Sequence, residues 1–160
     1  MNIMNIRRAD QGDIKEILDL LSEVLEIHAK LRPDFFIGGK TKYTYGELFE
    51  MMGDNASPIY VAEVDGSVAG YIFCEIKDNP PTNNTYGGKE LYIDDLCVDE
   101  KFRGKGIAES LLEFVKNEAV SNKFTCITLN VWHGNVRAER FYEKMGFFPR
   151  KTMLEMKLDN

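Results

Sequence analysis

The sequence predicts an α+β domain built on a mixed, mostly antiparallel twisted sheet with helices flanking it. Three observations carry that expectation: apolar residues at helical spacing after a short first strand, a hairpin signal at Asp65-Gly66, and a strand-helix-strand unit between Glu90 and Val131. A length of 160 residues suits one core, so a single domain spanning residues 1–160 is expected.

Residues 3–8 read as the first strand, after which Asp10 can cap a helix. The apolar residues Ile14, Ile17, Leu18, Leu21, Val24, Leu25 and Ile27 mark the buried stripe of that helix. It should end near Leu31, because Pro33 disfavours helical geometry at Arg32. Thr44-Tyr45-Gly46-Glu47 has the pattern of a capping box at the head of a second helix carrying Leu48, Met51 and Met52. Residues 59–64 and 67–76 are rich in strand formers and flank Asp65-Gly66, a pair favoured in tight hairpin turns, so they should run antiparallel. Residues 78–84 are polar and rich in proline, which predicts a mobile surface loop that could border a substrate. Strands over 90–98 and 124–131 enclose a helix over 106–120 with Ile107, Leu111, Leu112 and Val115 inward, a unit whose strands should be parallel. A helix over 136–145, closed by a left-handed Gly146, and a last strand over 147–158 complete the expectation.

Twenty basic against twenty-six acidic residues leave a formal charge of -6, which disfavours a phosphate-binding surface for nucleic acid and draws cationic substrates instead. The start lacks an apolar signal core, and no apolar run approaches the ~20 residues that cross a bilayer, so no membrane partner and a cytoplasmic location are expected. Cys74, Cys97 and Cys126 are odd in number and widely spaced in strand-like sequence, a pattern of buried reduced thiols. His28 and His133 lack nearby ligand pairs, and no metal is expected.

The most informative stretch runs from Ile93 through Leu96-Cys97-Val98 and a basic glycine-bearing turn, Arg103-Gly104-Lys105-Gly106, into a helix opening Ile107-Ala108. Two glycines let the backbone approach a ligand, and the first turn of a helix leaves N–H groups free to donate to phosphate oxygens. A dinucleotide fingerprint would need a third glycine where Glu109 stands. Gly39-Lys40-Thr41 mimics the end of a triphosphate loop, yet Asp34 occupies the place of its first glycine.

What remains, Arg103-x-x-Gly106-x-Ala108 after a strand ending Leu96-x-Val98, resembles the pyrophosphate-binding motif of GNAT acyltransferases. The second half of that family's pattern stands downstream as Asn130-Val131, Asn135, Ala138, Phe141-Tyr142, Glu143-Lys144 and Gly146-Phe147. The resemblance implies that the strands near Val98 and Val131 splay apart into an acyl-CoA cleft. Backbone groups of Leu96, Cys97 and Val98 are then left for the pantetheine arm. It further implies that amides of Arg103, Gly104, Lys105, Gly106, Ile107 and Ala108 hold the pyrophosphate. By the same resemblance Asn135 contacts pantetheine, and Phe141 and Lys144 lie near other parts of coenzyme A. The implied function is transfer of an acetyl or short acyl group from acetyl-CoA to a primary amine, on a small molecule or a peptide, by direct attack in a ternary complex. A non-catalytic acyl-CoA-binding or sensing module is the alternative. Sheet edges in such folds often pair, which leaves a homodimer open.

A primary amine of pKa about 10.4 is neutral in only about one molecule in 2,500 at pH 7, equivalent to roughly 4.6 kcal/mol, so deprotonation is a task for the site. Asp94 resembles the acidic position of amine-acetylating members and is favoured as base, directly or through water. Neighbours in a strand point oppositely, so only one of Asp94 and Asp95 should reach the pocket unless a bulge intervenes. The plainer reading makes both aspartates anchors of a loop or helix at the sheet edge. The resemblance assigns the Leu96 N–H to the developing oxyanion and Tyr142 to the leaving thiolate. Giving up a phenol proton to a thiolate is uphill by roughly 2 kcal/mol, so the help of Tyr142 can stop at hydrogen bonding. The plainer reading makes Tyr142 an aromatic core residue beside Phe141 and Met145, with its hydroxyl satisfied elsewhere. Residues 28–36 could line the acceptor side or simply end the first helix. An acyl relay through Cys97 is disfavoured by the neighbouring aspartates, which oppose a thiolate.

Overall fold

In the computed structural model, which describes residues 3–159, Asp65 and Gly66 take φ values of 51° and 81°. Two consecutive positive φ angles match the right-handed twist of flanking strands, and they join β2 (Ile59–Val64) to β3 (Ser67–Asn79) as an antiparallel hairpin. β1 (Met4–Arg8) pairs antiparallel with β2, β4 (Gly88–Val98) antiparallel with β3, and β5 (Cys126–Leu129) parallel with β4. The sheet order is therefore β1-β2-β3-β4-β5, mixed and mostly antiparallel as expected.

The helices begin where the capping residues stand. Asp10 accepts from the Gly12 N–H at 2.8 Å and starts a 3-10 turn that feeds α1 (Ile14–Leu31). Thr44 and Glu47 form the reciprocal capping box of α2 (Tyr45–Met51). α1 ends at Leu31, and Arg32 leaves helical geometry ahead of Pro33.

Ile14, Ile17, Leu20 and Leu21 of α1 and Leu48 of α2 pack with Ile59, Val61, Tyr71, Phe73 and Cys97, one face of the sheet. Alternation along the strands turns Tyr60 and Ile72 the other way, toward α3 (Ile107–Ser121). There Tyr60 meets Phe114 edge-on at 5.0 Å, and Ile107, Leu111, Leu112 and Val115 are buried. Burying each such aliphatic side chain is worth about 1.5–3 kcal/mol, so the sheet held between α1 and α3 dominates the stability of this part.

The chain divides into two compact units with the boundary between Asn130 and Val131. The second contains α4 (Val136–Lys144), which Asn135 caps and which is followed by Gly146 at φ 95°.

Three expectations are corrected. Asp78 and Asn79 continue β3, paired with Lys89 and Gly88, so the loop begins only at Pro80, where the ladder loses its N–H. Even there Thr82 and Thr85 form an isolated antiparallel bridge. Residues 147–159 form no strand, because an alternating pattern sets only which face a strand would show, whereas the ladder needs a second backbone. Cys74 and Cys97 are free and buried, but Cys126 is exposed, standing first in a strand with a neighbour on one side only. Among the described residues, no helix is long and apolar enough to cross a membrane.

Candidate active site

β4 changes partners at its middle. Its parallel pairing with β5 runs from Glu90↔Cys126 to Ile93↔Leu129 and stops, although β4 continues to Val98. On its other side Phe73 pairs with Asp95 and Cys74 with Ile93, so Asp94 has no opposite residue and forms a β-bulge. Beyond the bulge the Asp99 N–H donates to Ala69 at 2.8 Å, which fixes the direction in which the backbone groups alternate. The amides of Leu96 and Val98 therefore face away from β3, toward the side that β5 has left.

The bulge turns both aspartates to the face of α1 and α2. Asp94 Oδ2 accepts the Tyr43 hydroxyl at 2.5 Å, and Oδ1 lies 2.9 Å from the Lys42 ammonium. Asp95 accepts the Tyr71 hydroxyl at 2.9 Å. Phe73 ties the two phenols together, stacked on Tyr43 at 5.6 Å and edge-on to Tyr71 at 4.8 Å. The condition under which both carboxylates reach one face is thus met.

Burial sets the electrostatics. It raises the Asp95 carboxyl above the usual carboxylate range against the opposing pull of Lys42, Tyr71 and the Leu96 amide, with Asp94 adding repulsion. Protein surrounds Asp95 closely even though part of its surface stays accessible. The phenols of Tyr43 and Tyr71 are raised by burial first and by the adjoining aspartates second, so both remain donors. Burial and then Asp95 push the Cys97 thiol up to about 12, which argues against an acyl-cysteine relay.

After Val98 the chain makes a 3-10 turn, Glu100–Phe102, capped by Asp99, and then the glycine turn. Gly104 and Gly106 both sit at φ 75°, where an L side chain is strained, and a Cβ at either would meet nothing within 4 Å. Glycine is needed there for the path of the backbone and leaves the approach open. Gly106 is the N-cap of α3 and supplies no side-chain cap. The Ser110 N–H makes the helical bond back to Gly106 at 3.0 Å, so the amides of Ile107 and Ala108 lie ahead of the ladder. A helix start uncapped by its own side chain and approached over two glycines fits a diphosphate. Arg103 Nε donates to the Val98 carbonyl at 3.3 Å, and Lys105 lies 5.4 Å from the Phe102 ring.

In the second unit Asn135 accepts from the Ala138 N–H at 3.3 Å, a helix-capping role that its expected contact with pantetheine did not include. Tyr142 lies between Phe141 and Phe147, with ring centroids 5.1 and 5.5 Å away. Lys144 stands in the last turn of α4, where a cation complements the helix dipole. In the first unit His28 packs on Phe36 at 5.2 Å, and Arg32 bonds Asp34, so residues 28–36 do end α1 and anchor the adjoining loop.

Sequence reasoning missed Lys42, Tyr43 and Tyr71. Lys42 and Tyr43 precede a capping box, and nothing local announces what they reach across 52 and 51 residues. Tyr71 could have been found, since a tyrosine in an otherwise apolar buried strand needs a partner for its hydroxyl.

The acetyltransferase (GNAT) family model matches residues 24–147. An uncharacterised N-acetyltransferase, YhfO, of Bacillus subtilis is 30% identical over 145 residues, covering 90% of this chain and 89% of that protein. The thialysine N-epsilon-acetyltransferase of Bos taurus is 26% identical, covering 91% of this chain and 85% of its own. Among solved structures, a point mutant of the BH1408 protein of Bacillus halodurans superposes with a TM-score of 0.92 at 28% identity, over 96% of this chain and 99% of that one. The chain belongs to the GNAT family of acetyltransferases, and its mixed sheet with one parallel pair is the fold of that family.

Proposed function

We propose that the protein transfers an acetyl group from acetyl-CoA to a primary amine. The observation that supports this most is that β4 loses its β5 partner where it bulges. That one break in the strand leaves the amides of Leu96 and Val98 without a strand partner and turns a carboxylate, Asp94, to the face of α1 and α2 two residues away. The name of the bovine relative points the same way, since thialysine carries a terminal primary amine.

When bound, acetyl-CoA supplies an acyl thioester, the electrophile. The amides of Ile107 and Ala108, with the turn from Arg103 to Gly106, hold its diphosphate, and the backbone of Leu96 to Val98 holds the pantetheine arm in a sheet-like manner. Asn135, Phe141 and Lys144 complete the binding set by family resemblance. The Leu96 N–H donates to negative charge developing on the acyl oxygen. Asp94 receives the proton of the attacking amine, directly or through water, and Tyr142 donates to the departing sulfur.

The test is thiol release from acetyl-CoA with a panel of polyamines, amino acids, aminoglycosides and peptides. Turnover above the solvent rate supports the reading, whereas CoA binding without turnover favours a sensing module. No affinity for CoA, with charge reversal at Arg103 and Lys105 changing nothing, sinks both. Tyr142→Phe is expected to lower turnover by about 10- to 1,000-fold with acyl-CoA affinity unchanged.

A further inference from the structure

An ammonium already stands on the candidate base. Lys42 Nζ lies 2.9 Å from Asp94 Oδ1, 3.3 Å from the Asp94 carbonyl oxygen, and 5.6 Å from the centroid of the Tyr43 ring. A carboxylate, a carbonyl and an aromatic face are the three groups that recognise a primary alkylammonium. The Tyr43 hydroxyl on Oδ2 keeps that carboxylate oriented, leaving Oδ1 for the ammonium.

The position suits the reaction as well. Asp94 precedes Leu96 by two residues, roughly 7 Å along a strand, so an amine held at Asp94 is close to the amide assigned to the acyl oxygen.

The fold does not depend on Lys42. Its loop is fixed on either side by the Gly39 N–H on Glu26 at 2.9 Å, by the Thr44–Glu47 capping box, and by the stacking of Tyr43 on Phe73. The Lys42 side chain is 44% exposed, and an ion pair so open to water contributes little to stability. It is therefore easily exchanged for another cation of the same kind.

We propose that Lys42 is a resident surrogate for the acceptor: Asp94 and the Tyr43 ring form a subsite for an unbranched primary alkylammonium, which Lys42 fills until the acceptor displaces it. The inference rests on amine acylation at Asp94 and adds a substrate class and a built-in competitor to that reading. Lys42 should then weaken acceptor binding without touching the chemistry.

The test is calorimetric titration of 1,4-diaminobutane into the protein at low salt, without acyl-CoA. Lys42→Met keeps an unbranched side chain and removes the competitor, and should bind the diamine about fivefold tighter than the unaltered protein. Lys42→Arg keeps a competing cation and should bind as the unaltered protein does, while tetramethylammonium, which offers no N–H donor, should not compete. Asp94→Asn combined with Lys42→Met should abolish saturable binding. Equal or weaker affinity in Lys42→Met overturns the surrogate role, and amine acylation still stands or falls separately on the thiol-release panel. Saturable binding that survives Asp94→Asn overturns the subsite itself.

Discussion

Asp13 and Asp95 are both carboxylates withdrawn from water in the first unit, and their proton affinities are shifted in opposite directions. Asp13, 5% exposed, meets two guanidinium nitrogens of Arg7 at 2.8 and 2.9 Å and accepts the Asp10 N–H at 2.8 Å. Burial alone would raise it, but the hydrogen bonds of Arg7 and Asp10 and the charge of Arg7 outweigh burial and lower it. Arg7 also reaches Glu63, so the cluster ties β1, the start of α1 and β2 together. At Asp95 the hydrogen-bond partner is a phenol, and burial wins. Desolvation has the same sign at both sites; a guanidinium in direct hydrogen-bond contact outweighs it at Asp13, whereas the charge of Lys42 and the phenol of Tyr71 do not outweigh it at Asp95. A guanidinium in contact holds the anion, while at Asp95 burial shifts the balance toward the protonated form.

The largest effect that would break this contrast is at Asp13. Asp13→Asn leaves Arg7 partly uncompensated and should cost about 3 kcal/mol, roughly 10 °C in Tm. The pH dependence has a definite sign. Asp13 is lowered in the folded state, so its contribution is complete above its unfolded pKa of about 3.9 and is lost as pH falls through the folded value. Melts across the acid range should show that loss in the unaltered protein and not in the variant.

Asp94→Asn tests the other pole. It should leave Tm nearly unchanged, because its partner Lys42 is open to water and the amide oxygen can still accept from the Tyr43 hydroxyl, while kcat/KM for the amine falls about 100-fold. A comparable loss of stability would instead make Asp94 an anchor of the kind Asp13 is.

These two regions also differ in how legible they were. The helix starts at Asp10 and Thr44 and the hairpin at Asp65-Gly66 could be read because each is a local contract between residues two or three apart. The glycine turn at Gly104 and Gly106 was legible for the same reason. The bulge at Asp94 was not, because it is a property of register between β4 and β3, which no single strand encodes. Lys42 reaching Asp94 and Arg7 reaching Glu63 are likewise made by topology, across 52 and 56 residues. The expected strand over 147–158 failed in the converse way: the pattern was present and the pairing was not.

The smaller effects sharpen the contrast at Asp95 itself. Tyr71→Phe removes the side-chain hydroxyl that donates to that carboxyl and should cost about 1–2 kcal/mol at neutral pH, where the carboxylate is left short of a donor. Asp95→Asn should do the reverse, since the amide oxygen still accepts from Tyr71 and no charge is left to desolvate. Asp95 is raised in the folded state, so its favourable contribution is present below the unfolded pKa of about 3.9 and is lost as pH rises through the folded value. The variant should therefore melt slightly higher than the unaltered protein at pH 7–8, with the gap closing toward pH 4. A gap of opposite sign at neutral pH would mean that Asp95 is stabilised as an anion, and the distinction from Asp13 would vanish.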